Sequence, residues 1–446
     1  MGSITEDPYD VVIVGGGMAG LRVATELLRR QAGAPRLALF ERYEGVGGRC
    51  WTYKGKVGGT PIQWEGGAGR ISSKHRRVLE LLQRYKLRLI PIGSGLQYKE
   101  SSTSPFEPNA FEPAIPALLD PLAGLPKEDL GRSTIRQLLG RVQGGPAAED
   151  YLERFPYRSE TETMRADLAL QSFREEMRSH EGYGICREGL SALARAMRKD
   201  IERRGGAVRP GHELIGFKGI GTKTKPLYEI EFAGPDREKV TVQARRLVLA
   251  IPSAALERVE GLPAPLAKWR GLKHLKMTPL LRFYGAFPLD DGAPWWASPD
   301  AGGGTRIVTP EPVRYFIPGG TFGKKVATCH MSYTDSRDAE PWLKLLEEHG
   351  EKAVGEEMLA GLRRLLKPNA PPPLFVKAHA WKEGVTSWLP GPYDTAEYSR
   401  EALHPCPEDL PRVHLCGESY SLRQGWIEGA LEHADALLGA LRLGGR

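Results

Sequence analysis

The chain has 446 residues, 41% of them apolar, more than one ordinary core organises, and this predicts two intertwined domains rather than a helix bundle. Its net charge of +7 comes from 62 basic residues scattered among 55 acids without a long basic run, which excludes nucleic acid as a partner and mildly favours anionic or zwitterionic small molecules. Five widely spaced cysteines, Cys50, Cys186, Cys329, Cys406 and Cys416, form no C-x-x-C pair, which argues against a metal site or a disulfide framework and for reduced thiols in a cytoplasmic protein. Residues 1–6 carry no signal-peptide pattern, and no run approaches the ~18 apolar residues of a membrane span, so a soluble protein is expected.

In chain order, the apolar run Val11 to Val14 leads into Gly15-x-Gly17-x-x-Gly20 and a helix-forming stretch through Arg30, the strand, turn and helix of a dinucleotide fold. Gly15 suits the tight turn, Gly17 the close approach of backbone to a pyrophosphate, and Gly20 close packing of helix on strand. Met18 and Ala19 lie between them at the helix N-terminus, where phosphates bind. A second strand, Leu37 to Phe40, ends at Glu41, whose carboxylate is placed to accept from an adenosine ribose. Glu41-Arg42 is followed by Gly47-Gly48-Arg49, in which the Arg49 guanidinium offers a fork of donors to a diphosphate. This glycine-then-arginine run resembles the second motif of FAD-dependent amine oxidases and is foreign to NAD enzymes, so FAD is the expected cofactor.

Further along, apolar spacing predicts helices over Arg77 to Tyr85 and Leu190 to Arg204, separated by an irregular proline-rich stretch, Pro105 to Pro126. Tyr228 to Phe232 alternates as a strand, and Arg246 to Ile251 reads as a buried one stopped by Pro252. Strands are then expected at Leu280 to Phe287, Arg306 to Phe316 and Val326 to Tyr333, with a helix from Trp342 to Leu366. A strand at Val413 to Cys416 and a helix from Trp426 to Leu443 close the chain. The fold class is α/β. A Rossmann-type FAD-binding domain, residues 8–72, 207–257 and 406–446, is interleaved with a substrate domain comprising a helical part, 73–206, and a mixed β-sheet, 258–405.

Gln63-Trp64-Glu65-Gly66-Gly67-Ala68-Gly69-Arg70, Ala250-Ile251-Pro252, Tyr333-Thr334-Asp335 and Gly417-Glu418 with Gly425-Trp426-Ile427 occur in that order. The set resembles the FAD-dependent L-amino acid oxidases of the flavin amine oxidase superfamily, the snake-venom enzymes and the violacein-pathway tryptophan oxidase among them. The resemblance implies that Arg70 binds the substrate α-carboxylate, a task suited to a bidentate guanidinium. It implies that Gly67, Ala68, Gly69 and Arg70 border the flavin, that Glu418 contacts the ribityl chain with Gly417, Ile427 and Ala430 alongside, and that Trp426 flanks flavin and substrate. Leu214 would lend backbone contacts to the adenine.

Two departures stand out. Where the family carries a lysine beside the flavin, this chain has Arg282, with Lys276 as the alternative counterpart; arginine keeps the charge but does not give up a proton. The family's carboxylate-binding tyrosine falls near Ile317, and Tyr315, two residues off and on the same strand face, is the candidate substitute. The stretch Trp388 to Tyr393 contains no cysteine, so the FAD is expected to be noncovalent, with Trp388 or Tyr393 forming an aromatic wall with Trp426. His330 is a candidate base or a structural histidine, and the stretch Gln171 to Tyr183, with Glu175, Glu176 and His180, is expected to contribute pocket residues.

The function so expected is oxidation of a small-molecule L-amino acid with oxygen as acceptor, with no metal; a homodimer is compatible with the resemblance. The alternatives are a monoamine or polyamine oxidase, a dehydrogenase that avoids oxygen, and a non-catalytic flavin scaffold.

Overall fold

Every side chain of the strand Val11–Val14 is apolar and every one is buried, a pattern met by a strand covered on both faces. In the computed structural model, which describes residues 7–30, 33–93, 95–108, 120–122, 124–177 and 182–443, this strand is the centre of a parallel sheet. Its order is Ala207–Arg209, Leu37–Phe40, Val11–Val14, Leu247–Leu249, Val413–Leu415, so distant parts of the chain meet in one sheet. The two-residue side-chain period divides the covers. Val11, Ile13, Leu37, Leu39 and Val248 pack with the helices Met18–Arg30, Leu190–Arg203 and Ile427–Leu443. Val12, Val14, Phe40, Leu247 and Leu249 pack with an antiparallel meander, Glu213–Gly219, Tyr228–Ala233 and Lys239–Ala244.

The helices Arg76–Arg84 and Leu190–Arg203, assigned by sequence to the segment 73–206, bury Val78, Leu81, Leu193 and Met197 in the core of the parallel sheet. The packing of the cofactor layer therefore reaches past the boundaries at 72 and 206. Helical periodicity shows that a face is apolar but not which sheet it covers.

A seven-stranded mixed sheet forms the second layer, in the order Phe375–Trp388, Leu275–Pro288, Val326–Asp335, Tyr315–Phe322, Arg306–Val308, Leu96–Tyr98, Glu107–Pro108. One face buries Leu281, Phe283, Cys329 and Met331 against Val354, Met358 and Leu362 of the long helix Ser336–Leu365. On the other face Arg282 and Tyr284 both donate to the carbonyl oxygen of Glu65.

The expected strand from Arg306 to Phe316 is instead two antiparallel strands, Arg306–Val308 and Tyr315–Phe322, with Val308 opposite Tyr315. Pro310 and Pro312 cannot donate to a ladder, and Arg314 turns the chain at φ 53°. The expected helix from Trp342 begins earlier, at Ser336, runs through Pro341 and is interrupted at Gly350, where φ is 77°. Pro105 to Pro126 holds the short strand Glu107–Pro108 and the turn Asp120–Leu122; positions 109–119 and 123 lie outside the described residues.

The helices Ile135–Gln143 and Ala166–Ser172 flank the helical turn Ser159–Thr163. A reciprocal cap starts the first, with Gln137 N–H donating to Thr134 Oγ1 and Thr134 N–H to Gln137 Oε1. The turn is pinned to the mixed sheet because Asp335 accepts from the backbone amides of Arg158 and Ser159 at 2.8 and 2.9 Å. Among the described residues no helix is long and apolar enough to cross a membrane.

Candidate active site

The first glycine turn is built to leave one face open. Gly15 has φ 107°, and a Cβ there would collide with the Ala250 carbonyl; a Cβ on Gly20 would collide with the Gly15 carbonyl, whereas one on Gly17 would meet nothing within 4 Å. The first helical bond is Leu21 N–H to Gly17 O at 2.9 Å. The amides of Met18, Ala19 and Gly20 therefore have no intrahelical acceptor beside the opening above Gly17. Glu41 stands at the end of the adjacent strand and accepts from Gly16 N–H at 2.6 Å and Tyr43 N–H at 2.9 Å. Burial raises its pKa, and the amides of Tyr43 and Gly16 act against the rise. Gly47 donates to Gly16 O at 2.8 Å, and Gly48, at φ 56°, lies against the Gly17 backbone. Arg42 is exposed and faces Glu213 at 3.3 Å.

Arg49 is engaged by protein. Its guanidinium donates to Glu418 at 2.6 Å and to the Gly384 carbonyl at 3.0 Å. Glu418 also accepts from Thr386 and, at 2.7 Å, from the Gly425 amide. Gly67 and Ala68 run against the Arg49 backbone, with Ala68 N–H donating to Arg49 O, and a Cβ on Gly67 would strike that carbonyl. Ile427 and Ala430 share the core of Met18 and Ala19 beyond Gly417, while Leu214 lies in the opposite core, in register with Phe232. The open Gly17 face, the uncommitted helix amides and the strand-end acid fit a dinucleotide cofactor.

Arg70 projects into an aromatic enclosure. Its guanidinium carbon lies 5.4 Å from the Tyr183 ring centre, 5.5 Å from that of Tyr157 and 5.7 Å from that of Trp426. Trp426 in turn stacks on Tyr183 at 6.2 Å and meets His75 edge-on at 5.0 Å. Among the described residues no carboxylate pairs with Arg70. Burial works against its charge, but the phenols of Tyr157, Tyr183, Tyr315 and Tyr333 outweigh burial and its pKa is raised. Arg70, Glu160 and Tyr333 each keep part of their surface accessible, and Arg70 with the rings of Tyr157, Tyr183 and Trp426 bounds the candidate substrate cavity.

Arg282 borders the same space. It donates to Glu65 O at 3.1 Å and lies 5.6 Å from the Tyr333 ring centre, while its Nε is buried without a partner. Lys276, the alternative counterpart, is exposed and pairs in register with Ser387. Glu65 accepts from Leu190 N–H and the Thr52 hydroxyl, both at 2.9 Å, and burial pushes its pKa up to about 7. His330 packs on Tyr284 at 3.9 Å. Burial, reinforced by Arg282, His379 and Arg70, holds its pKa well below the usual histidine value, which makes it a poor base at neutral pH.

Several expectations change here. Trp388 has 0% of its surface accessible, donates its indole N–H to Ser421 O at 3.0 Å and belongs to the main core, so it does not form a wall of the cavity. Tyr393 likewise turns inward, stacking on His274 at 4.0 Å and donating to Leu389 O. Tyr315, 1% accessible, packs edge-on against Tyr157 and Tyr333, and the phenols of both Tyr315 and Tyr333 act on the charge of Arg70. Of the stretch Gln171 to Tyr183, Tyr183 contacts Arg70, Glu175 pairs with Arg423 at 3.0 Å, and His180 and the Glu176 side chain lie outside the described residues. Sequence reasoning missed Tyr157 and Glu160, which come from a segment without a recognisable motif. The described residues contain no cluster that could hold a metal ion.

The profile of a family described as flavin containing amine oxidoreductase matches residues 18–436. The chain belongs to this family. FAD is accordingly its cofactor. This flavin amine oxidoreductase is 40% identical over 90 residues to L-amino acid oxidase Cdc18 of Crotalus durissus cumanensis, a match covering 20% of the chain and 16% of that relative's length. It is 41% identical over 88 residues to an L-amino-acid oxidase of Crotalus adamanteus, covering 19% and 15% respectively. The matched stretch is thus a small part of these curated relatives. Among solved structures, putrescine oxidase bound to putrescine superposes with a TM-score of 0.74 at 16% identity, over 98% of this chain and 99% of that one. Cyclohexylamine oxidase from Brevibacterium oxydans IH-35A gives 0.70 at 18% identity, over 98% and 100%. At such identities the two structures establish the fold, the doubly layered α/β architecture described above.

Proposed function

We propose that this flavin amine oxidoreductase oxidises an L-amino acid to its imino acid, which hydrolyses to a 2-oxo acid and ammonia, with oxygen as the acceptor. The observation that carries the reading is Arg70: a guanidinium enclosed by Tyr157, Tyr183 and Trp426 with no carboxylate of its own among the described residues. An enclosed charge without a partner is unfavourable, and a substrate α-carboxylate relieves it with two parallel charge-assisted hydrogen bonds. A plain amine would bring a second cation beside the first.

Bound FAD supplies a two-electron acceptor for the substrate Cα hydride and passes the electrons to oxygen, giving hydrogen peroxide. The protein supplies orientation and exclusion of water. Gly15, Gly17, Gly20 and Glu41 would hold the adenosine diphosphate part, and Glu418, oriented by Arg49 and the Gly425 amide, would face the ribityl chain. Arg70 would fix the carboxylate, Trp426 and Tyr183 would bound the substrate, and Arg282, anchored on Glu65 O, would present positive charge beside it. His330, held neutral, would leave the amine proton to solvent. All five cysteines are unpaired and buried, which supports noncovalent FAD and suits a cytoplasmic protein.

Steady-state kinetics of Arg70→Gln test the proposal. The KM for L-amino acids should rise about a hundredfold, as expected when one side of a buried charge pair is lost. A kcat/KM within twofold of the wild type would refute the assignment.

A further inference from the structure

The Tyr157 ring that bears on Arg70 belongs to a trio of tyrosines in mutual edge-on contact. Tyr157 and Tyr333 are 5.7 Å apart at 84°, Tyr157 and Tyr315 6.1 Å apart at 87°, and Tyr315 and Tyr333 6.2 Å apart at 81°. The Arg70 guanidinium carbon lies 5.5 Å from the Tyr157 ring centre, and that of Arg282 5.6 Å from the Tyr333 ring centre. The three come from separate segments. Tyr157 precedes the helical turn Ser159–Thr163, Tyr315 opens the strand Tyr315–Phe322, and Tyr333 lies near the end of the strand Val326–Asp335, which runs into the helix Ser336–Leu365. Ring contacts of this kind are individually modest and do not alone fix three segments in one arrangement.

Beside each tyrosine stands a member of one ion cluster. Arg158 follows Tyr157, Arg314 precedes Tyr315, and Asp338 lies in the first turn of the helix that continues from the Tyr333 strand. Arg158 Nη2 and Arg314 Nη1 both donate to Glu153 Oε2 at 2.8 Å. Arg158 Nε donates to Asp338 Oδ2 at 2.8 Å, and Arg314 Nε lies 3.1 Å from the same oxygen. Arg314 Nη2 also donates to the carbonyls of Glu153 and Phe155 at 2.9 and 2.8 Å. The two arginine side chains are 2% and 3% exposed and share both acids, so shifting either one strands a buried charge. Arg314 itself has φ 53°, which an arginine holds only when its surroundings over-determine it.

We propose that Glu153, Arg158, Arg314 and Asp338 are positioning residues of the site. Their shared contacts lock together the segments that carry Tyr157, Tyr315 and Tyr333, and Tyr157 in turn sets where Arg70 stands. The inference goes beyond the L-amino acid reading, because it does not depend on which substrate meets Arg70. Buried ion pairs often add little stability over apolar packing, whereas forked guanidinium bonds fix direction, and here they fix three chain segments at once.

The test is rapid anaerobic reduction of the FAD-loaded protein by its best substrate among the L-amino acids and their decarboxylated amines, which yields an apparent Kd and a limiting rate. Asp338→Asn and the milder Glu153→Gln, at an acid 32% exposed, are each made alone and with Tyr157→Ala, so a folding failure of the first leaves the second. Asp200→Asn, which breaks a buried cluster with Arg29, Arg203 and Arg204 in the other layer, is the control for lost stability. Each cluster variant should raise the apparent Kd about tenfold and leave the limiting rate within about threefold. Each double variant should stay within about twofold of Tyr157→Ala, because the cluster acts through the ring already removed. Asp200→Asn should lower stability in denaturant and leave the apparent Kd within about twofold. An unchanged apparent Kd in the cluster variants overturns the proposal, as do double variants that multiply the single effects. An Asp200→Asn that matches the cluster variants overturns it too, since the effect then follows stability alone. Whether amino acids or amines reduce the flavin is settled on the wild type and bears on the reading above, separately from this one.

Discussion

The Arg49 guanidinium donates to the Glu418 carboxylate across 2.6 Å, joining residues 369 positions apart in the chain. The pair locks the second glycine turn to the strand end after Leu415, two places that the proposed cofactor site draws on. Glu418 is almost fully buried and Arg49 is about a quarter exposed, so loss of the acid strands a poorly solvated cation. Glu418→Gln should lower unfolding free energy by about 2–3 kcal/mol and weaken FAD binding at least tenfold. Chemical denaturation of the apoprotein and a flavin fluorescence titration check both parts, and unchanged values for both would show the pair to be incidental.

Two glycines three positions apart should respond differently. A methyl on Gly17 meets no protein atom within 4 Å, whereas one on Gly20 drives into the Gly15 carbonyl. Gly17→Ala should leave apoprotein stability within about 1 kcal/mol while reducing FAD affinity tenfold or more. Gly20→Ala should impair both folding and binding. Normal FAD affinity in Gly17→Ala would mean that no pyrophosphate approaches this turn.

Much of the parallel sheet was legible in the sequence. Val11–Val14, Leu37–Phe40 and Leu247–Leu249 are short apolar runs stopped by glycine, acid or proline, the mark of strands buried on both faces, and Val413–Leu415 leads into Gly417-Glu418. The edge strand Ala207–Arg209 and the outer strand Phe375–Trp388 carry mixed polar residues and gave no such signal. Arg70 was legible because its glycine-rich run is local. Tyr157 was not, since only the fold brings it against Arg70 and Tyr333, which lie far from it in the chain. Trp388 shows the opposite error: an aromatic next to a proline-glycine turn invites a site assignment, yet the polar partners Ser421 and Gln424 draw it into the core.

Trp388 therefore furnishes its own prediction. Trp388→Phe deletes the indole N–H to Ser421 O and leaves that buried carbonyl without its donor. Stability should fall by about 1–3 kcal/mol, while KM for the amino acid stays within a factor of two. A large KM change at unaltered stability would return Trp388 to the cavity wall.

His414 lies on the parallel sheet with its Nδ1 at 2.6 Å from Leu403 O and its Nε2 buried without a partner. Burial lowers its pKa to about 3. In the unfolded chain it titrates near the ordinary histidine value of 6.5, so below that pH the unfolded state binds a proton that the folded state does not, and stability is lost as pH falls toward 3. Between pH 6.5 and 4.5, His414→Asn should gain on the wild type by up to ~1.4 kcal/mol per pH unit, because it lacks that proton. Denaturant titrations at pH 7.5, 6 and 5 give the comparison; parallel pH profiles would mean that His414 titrates normally in the folded protein.

In the proposed reaction the unpaired Arg70 reserves the cavity for a carboxylate. The most direct test of that role is anaerobic flavin bleaching of the wild type by the twenty L-amino acids and their decarboxylated amines, followed by admission of air. Bleaching is expected with amino acids and not with the corresponding amines, followed by recolouring once oxygen enters. Bleaching by amines alone would contradict that role.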